Sequence, residues 1–179
     1  MSRKLLVTIH LYLAAFFAPL VIAMAVSGGL YLVGVKGEMT STVVANLGDV
    51  SLNADSPTLA ADVNKVLQQA GIDANFEQLK ARDNNFQTRP SSRTHYLLRQ
   101  NSDGVEIREV LPDLQAAMME LHKGHGPAMY KQLQKVFAVG LLFIILSGLY
   151  LGLMSPMYRL KTVVVSAFGL LLFAGLVLF

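Results

Sequence analysis

The side chains best able to do chemistry in this sequence are its four histidines, because an imidazole can both ligate a metal and exchange a proton near neutral pH. Cysteine is absent, which excludes disulfides, thiolate metal sites and a cysteine nucleophile. His10 stands inside the apolar run Leu5–Val35, which holds no Asp, Glu, Lys or Arg. An ionisable group at membrane depth is a functional candidate by default, the alternative being an interfacial imidazole bonded to a neighbouring backbone. His122 and His125 lie three apart in Leu121-His122-Lys123-Gly124-His125-Gly126, a spacing that shares a helix face unless Gly124 breaks the helix between them. With His95, Met118, Met119 and Met129 they make a set of soft donors suited to copper or an iron porphyrin, although methionines at a membrane entry also serve as packing. The metal stays unknown at this stage. No glycine-rich phosphate loop occurs, Ser, His and Asp form no recognisable triad motif, and Asp55, Asp62, Asp73 and Asp83 are dispersed as on a solvated face. A hydrolase reading has no support, and no catalytic residue is assigned.

The elements that must position these histidines follow from an apolar content of 53%, above the roughly 45–50% of a soluble domain. The surplus collects in Leu5–Val35, Val136–Met154 and Val163–Phe179. Crossing the roughly 30 Å hydrocarbon core takes about 20 helical residues. The first run exceeds that length and is too long for the apolar region of a secretory signal peptide, so it reads as an uncleaved anchor. Pro19, near its middle, predicts a kink with a neighbouring helix packed against it. A second span over residues 131–155 ends at Ser155-Pro156, and a third follows within residues 156–179. The seventeen residues from Val163 give only about 25 Å of helix, so the third span is expected to be short.

Lysine and arginine in short flanks set orientation. Arg3 and Lys4 precede the first span, and Arg159 and Lys161 sit in the turn before the third, which puts the N-terminus and that turn in the cytoplasm. Residues 36–130 then lie outside, in the periplasm of a bacterial inner membrane. Lys131 and Lys135 oppose the rule, but they adjoin a long translocated segment, where it is weak. The net charge of +3 is therefore membrane-related and points to no nucleic acid.

Between the first two spans the composition is that of a soluble domain. Lys36–Leu52 suits a linker or one edge strand. Ser56-Pro57 predicts a helix start, with Leu59, Val63, Val66, Leu67 and Ala70 at helical spacing until Gly71. Phe76, Leu79 and Phe86 form a strand-like stretch broken at Asp83-Asn84-Asn85. Tyr96–Leu98 and Val105–Val110 flank Asn101-Ser102-Asp103-Gly104 as a hairpin, with Val105 and Ile107 on one face. Asp113–Lys123 reads as a helix leading to the membrane. The expected fold is thus three transmembrane helices plus a small extracytoplasmic α+β domain.

The first two spans also end in similar strings, Ser27-Gly28-Gly29-Leu30-Tyr31-Leu32 and Ser147-Gly148-Leu149-Tyr150-Leu151-Gly152. Small residues permit close helix approach and tyrosine favours the interface, so two close-packing helix ends account for them. Antiparallel spans place these strings at opposite sides of the membrane.

Ile9-His10-Leu11 with the Ser-Gly-Gly-Leu-Tyr closure, the helix-then-sheet domain, Leu121-His122 and the Ser-Gly-Leu-Tyr-Leu closure together resemble the PepSY-associated transmembrane proteins. The stretch Ser56–Val110 resembles a diverged PepSY domain, a module known as an inhibitory or interaction unit. The resemblance implies a membrane-anchored PepSY module, and the lack of a complete catalytic constellation, the small-residue helix ends and the small core favour a non-enzymatic accessory or interaction protein that packs with another membrane protein or with a second copy. Larger members with four spans include iron-siderophore reductases that carry haem on helix histidines, and by that likeness His10 and His122 would be haem ligands here, with His125 beside them. His10 lies about a bilayer away from His122 and His125, and the second and third apolar blocks hold no histidine, so an axial pair needs a second chain. Peptidase inhibition rests on fold analogy alone.

Overall fold

The computed structural model describes residues 2–178, in the order α1 (Arg3–Leu32), β1 (Met39–Leu47), α2 (Leu59–Gln69), β2 (Gln78–Arg82), β3 (Asn85–Arg89), β4 (His95–Asn101), β5 (Gly104–Pro112), α3 (Leu114–His122), α4 (Ala128–Leu153) and α5 (Arg159–Leu178). Phe179, expected to end the third span, lies outside the described residues. Two compact units are formed, one from Ile22–Gln134, the other from the segments up to Val21 and from Lys135 onward.

Three helices, α1, α4 and α5, are long and apolar enough to cross a membrane, with mean hydropathies of 2.3, 2.5 and 2.2. Helix α1 runs from Arg3 to Leu32 with Pro19 inside it. The third span is longer than its apolar run suggested, because the helix starts at Arg159, whose N–H bonds to the Ser155 carbonyl at 2.8 Å. Twenty residues give about 30 Å, enough to cross, with the stems of Arg159 and Lys161 free to reach the interface. None of its residues is buried by the chain.

The unit Ile22–Gln134 is organised on a five-stranded antiparallel sheet in the order β1-β5-β4-β3-β2. Register aligns Phe86 with Leu98 and Leu98 with Ile107, so three apolar side chains from three strands fall in one row. Val63, Val66 and Leu67 of α2, at i, i+3 and i+4, close over that row and complete a core with Leu52 and Val105. Burial of each such side chain contributes on the order of 1.5–3 kcal/mol, which is what holds so small a layer together. The opposite sheet face is covered at His95 and Val110, where Ala116 and Glu120 of α3 are also buried.

Several local expectations hold, and one needs correcting. Lys36–Leu52 supplies the edge strand β1, and Asp83, in the left-handed region at φ 52, turns β2 into β3. In the β4–β5 hairpin Asn101 faces Gly104, whose φ of 124 and close approach to the Leu47 carbonyl of β1 leave no room for a side chain. Helix α2 does not start at Ser56-Pro57: Thr58 is the N-cap. The Ser56 hydroxyl is used earlier, accepting from the Thr58 N–H at 3.2 Å, while Thr58 Oγ1 donates to Asp62 at 2.8 Å. Helix α3 starts where expected, its Asp113 cap accepting from the Ala116 N–H at 2.7 Å.

Leu67 is fully enclosed. Leu67→Ala should lower the unfolding free energy of the sheet unit by about 2–5 kcal/mol in denaturant titration, whereas Leu111→Ala, on an exposed position, should change it by less than about 0.5 kcal/mol.

Candidate functional site: two histidine–serine contacts

His10 is half-buried on α1, and its Nδ1 lies 2.8 Å from the Ser147 hydroxyl of α4. The same hydroxyl lies 3.1 Å from the Ile144 carbonyl one turn back. Ser147 Oγ either donates to that carbonyl and accepts from Nδ1–H or donates to Nδ1, and in both arrangements the contact engages Nδ1 and not Nε2 of His10. Gly148 makes room for the ring: a Cβ there would stand 3.3 Å from His10 Cε1. The same two helices lock through aromatics. Phe17 is buried, meets Phe137 edge-on at 5.5 Å between centroids, and covers Gly140, where a methyl group would collide with its ring. A membrane hydrogen bond averages only about 0.6 kcal/mol, so this packing, not the imidazole, carries the helix pairing. The contact sets ring orientation.

Within the unit Ile22–Gln134 the arrangement recurs. His122, exposed at the end of α3, puts Nδ1 3.2 Å from the hydroxyl of Ser27, a side chain buried on α1. Ser27 Oγ also lies 3.2 Å from the Met24 carbonyl, and its contact with His122 again engages Nδ1 and not Nε2. A Cβ at Gly28 would stand 3.3 Å from His122 Cε1. Further bonds fasten α3 to this end of α1. The Gln115 amide donates to the carbonyls of Ser27 and Val35 at 3.0 and 3.1 Å, and Asp113 accepts from the Glu38 N–H at 2.8 Å. The matched strings thus do more than let helices approach: each supplies the hydroxyl and the glycine that receive one histidine.

His125 is placed elsewhere. Gly124, at φ 78, ends the helical path after His122, so the two imidazoles do not share a face. His125 Nδ1 donates to Glu120 Oε2 at 2.8 Å, and its carbonyl accepts from the Ser91 N–H at 3.1 Å. Glu120 is buried, and its carboxylate also takes the Ser91 hydroxyl at 2.5 Å and an ion pair from Lys123. Burial pushes the Glu120 carboxyl up, but the bonds from Lys123, Ser91 and His125 outweigh it and hold it at about 2. His95 is buried on β4, with Nδ1 3.0 Å from the Arg93 carbonyl and Nε2 3.1 Å from the Gln87 amide. Its burial lowers its pKa, with the Arg93 carbonyl and Glu120 opposing the shift. Among the described residues no group of three or more His, Asp or Glu is gathered to hold a metal ion. Sequence reasoning missed Ser27, Ser147, Glu120, Ser91 and Gln115. The repeated strings were a signal for the two serines, whereas nothing local marked the others.

Three membrane-crossing helices, a sheet-bearing region inserted after the first, and paired histidine–serine contacts define a class of small membrane protein with a folded domain fixed to its anchor. The model of the PepSY-associated TM region matches residues 7–178, and the chain belongs to that family. No curated protein and no solved structure matches it.

Acid should act on the sheet unit in two stages. His95 has a lowered folded pKa, so its contribution is present above its unfolded value of 6.5 and fades as the pH falls below it. Glu120 is likewise depressed, so its contribution is complete above 4.5 and is lost as the pH falls toward about 2. Unfolding free energies measured against pH should show the lower stage vanish in Glu120→Gln, at a cost of about 3 kcal/mol at neutral pH.

Proposed function

We propose that this protein is an accessory or interaction component of a bacterial inner-membrane complex, presenting its sheet domain outside the cytoplasm, fastened to the C-terminal end of its first anchor helix. The observation that carries this reading is the fastening of α3 to the end of α1 by His122, Gln115 and Asp113, which ties the sheet domain to its anchor rather than leaving it on a free linker. The unburied surface of α5 supports it, since that helix is open to packing against another membrane protein. The positive flanks Arg3-Lys4 and Arg159/Lys161 support a cytoplasmic N-terminus and residues 36–130 in the periplasm. Isolation from native membranes in mild detergent should then give one stoichiometric membrane-protein partner, lost when His122→Ala is combined with Gln115→Ala. A monodisperse, partner-free species would contradict the proposal.

A second reading is favoured by the two histidine–serine contacts. A histidine that ligates iron through Nε2 commonly has its Nδ1 held by a hydrogen-bond partner, and serines stand at Nδ1 of His10 and His122 here. His10 and His122, each with a glycine beside the ring, would hold the group together with a nitrogen donor from another copy or subunit. Bound haem would supply one-electron transfer, of the kind used in ferric-siderophore reduction. This chain's residues orient the two imidazoles. Protein from haem-replete cells should then show a stoichiometric Soret band that His10→Ala and His122→Ala each diminish; a colourless wild type rejects this reading and leaves the first untouched.

A further inference from the structure

Against the α1–α4 pair lies an open apolar groove of about 550 Å³, lined by Leu13 and Phe17 of α1 and by Val136, Val139, Gly140 and Phe143 of α4, with Lys135 at its rim. The groove exists because Gly140 has no side chain and Phe17 lies over it, leaving Val136 and Val139 more than half exposed beside it. Its charge is unbalanced. Lys135 forms no ion pair among the described residues, and all twelve Asp and Glu side chains fall within the stretch from Glu38 to Glu120. The membrane spans of a second copy would therefore offer Lys135 no acidic side chain.

We propose that this groove is a binding site for one anionic phospholipid, whose acyl chain fills the space beside Phe17 and Gly140 and whose phosphate pairs with Lys135. Lipid is the occupant because the cavity wall is hydrocarbon and the sole charge on its rim is a cation, the complement of a headgroup joined to an acyl chain. A lysine ammonium beside anionic headgroups adds attraction that a zwitterionic lipid of equal chain length supplies much less well.

The test is native mass spectrometry of the full chain in mild detergent, titrated separately with phosphatidylglycerol and phosphatidylcholine of the same acyl chains. The wild type should retain one phosphatidylglycerol about fivefold more readily than one phosphatidylcholine. Lys135→Gln should erase that preference while leaving residual binding of both, and Lys135→Arg should keep it. Val139→Trp, which fills the groove and leaves the lysine, should reduce retention of both lipids. Helix content by circular dichroism and a monodisperse elution profile qualify each variant, and Val139→Phe replaces any tryptophan variant that fails. Equal retention of the two lipids by the wild type, a preference that survives Lys135→Gln, or undiminished binding in the filled groove would each overturn the proposal.

Discussion

Two serine–histidine hydrogen bonds decide how two imidazoles are held in this protein. Ser147 and Ser27 each lie within hydrogen-bond distance of a carbonyl of their own helix and of the Nδ1 of one histidine. Both rings are thereby held by the same nitrogen, and a glycine next to each serine makes room for the ring. The His10–Ser147 bond, between two membrane-type helices, is worth only about 0.6 kcal/mol and could not assemble them alone. Packing does that: Phe17 against Phe137 and Gly140 in one unit, and the row Phe86, Leu98 and Ile107 beneath α2 in the other. The polar contacts then select one rotation among those that packing permits.

The sheet domain depends on a different kind of polar group. Glu120 is a buried carboxylate with three donors, and it draws together helix α3, the loop carrying Ser91 and the connection carrying His125. Such a charge is tolerable only while its partners stay in place, because an unpaired buried carboxylate costs several kcal/mol. The connection between α3 and α4 is held from both sides. Glu77 accepts from the Ala128 N–H at 2.6 Å at the start of α4, and the Gln134 amide bonds the Leu121 carbonyl at 2.7 Å. Within the unit Ile22–Gln134 this connection is thus held by satisfied backbone groups.

The spans were legible from composition because hydrocarbon imposes length and polarity on every residue of a crossing helix. The hairpin at Asp103-Gly104 and the cap at Asp113 were legible because turn and cap chemistry is local. Less of the site could be read. His122 and His125 looked like neighbours on one helix until the left-handed Gly124 separated them. The partners of His10 and His122 lie 137 and 95 residues away, beyond any periodic signal, though the repeated Ser-Gly strings recorded them in plain view. Glu120 resembled any helix-end acid, since its burial arises only when Ser91 is folded over it.

The most direct measurement exploits the absence of cysteine, which makes introduced pairs the sole thiols of the chain. Cysteines placed together at His10 and Ser147, and in a second protein at Ser27 and His122, would be treated in membranes with a short bifunctional thiol reagent. Cross-linking within the chain should be near complete for both pairs and weak for Thr8→Cys with Ser147→Cys, because Thr8, two residues from His10, points to another side of α1. Equal linking by Thr8, or no linking by either histidine position, would contradict the claim that the two matched strings are the receptors of the two histidines.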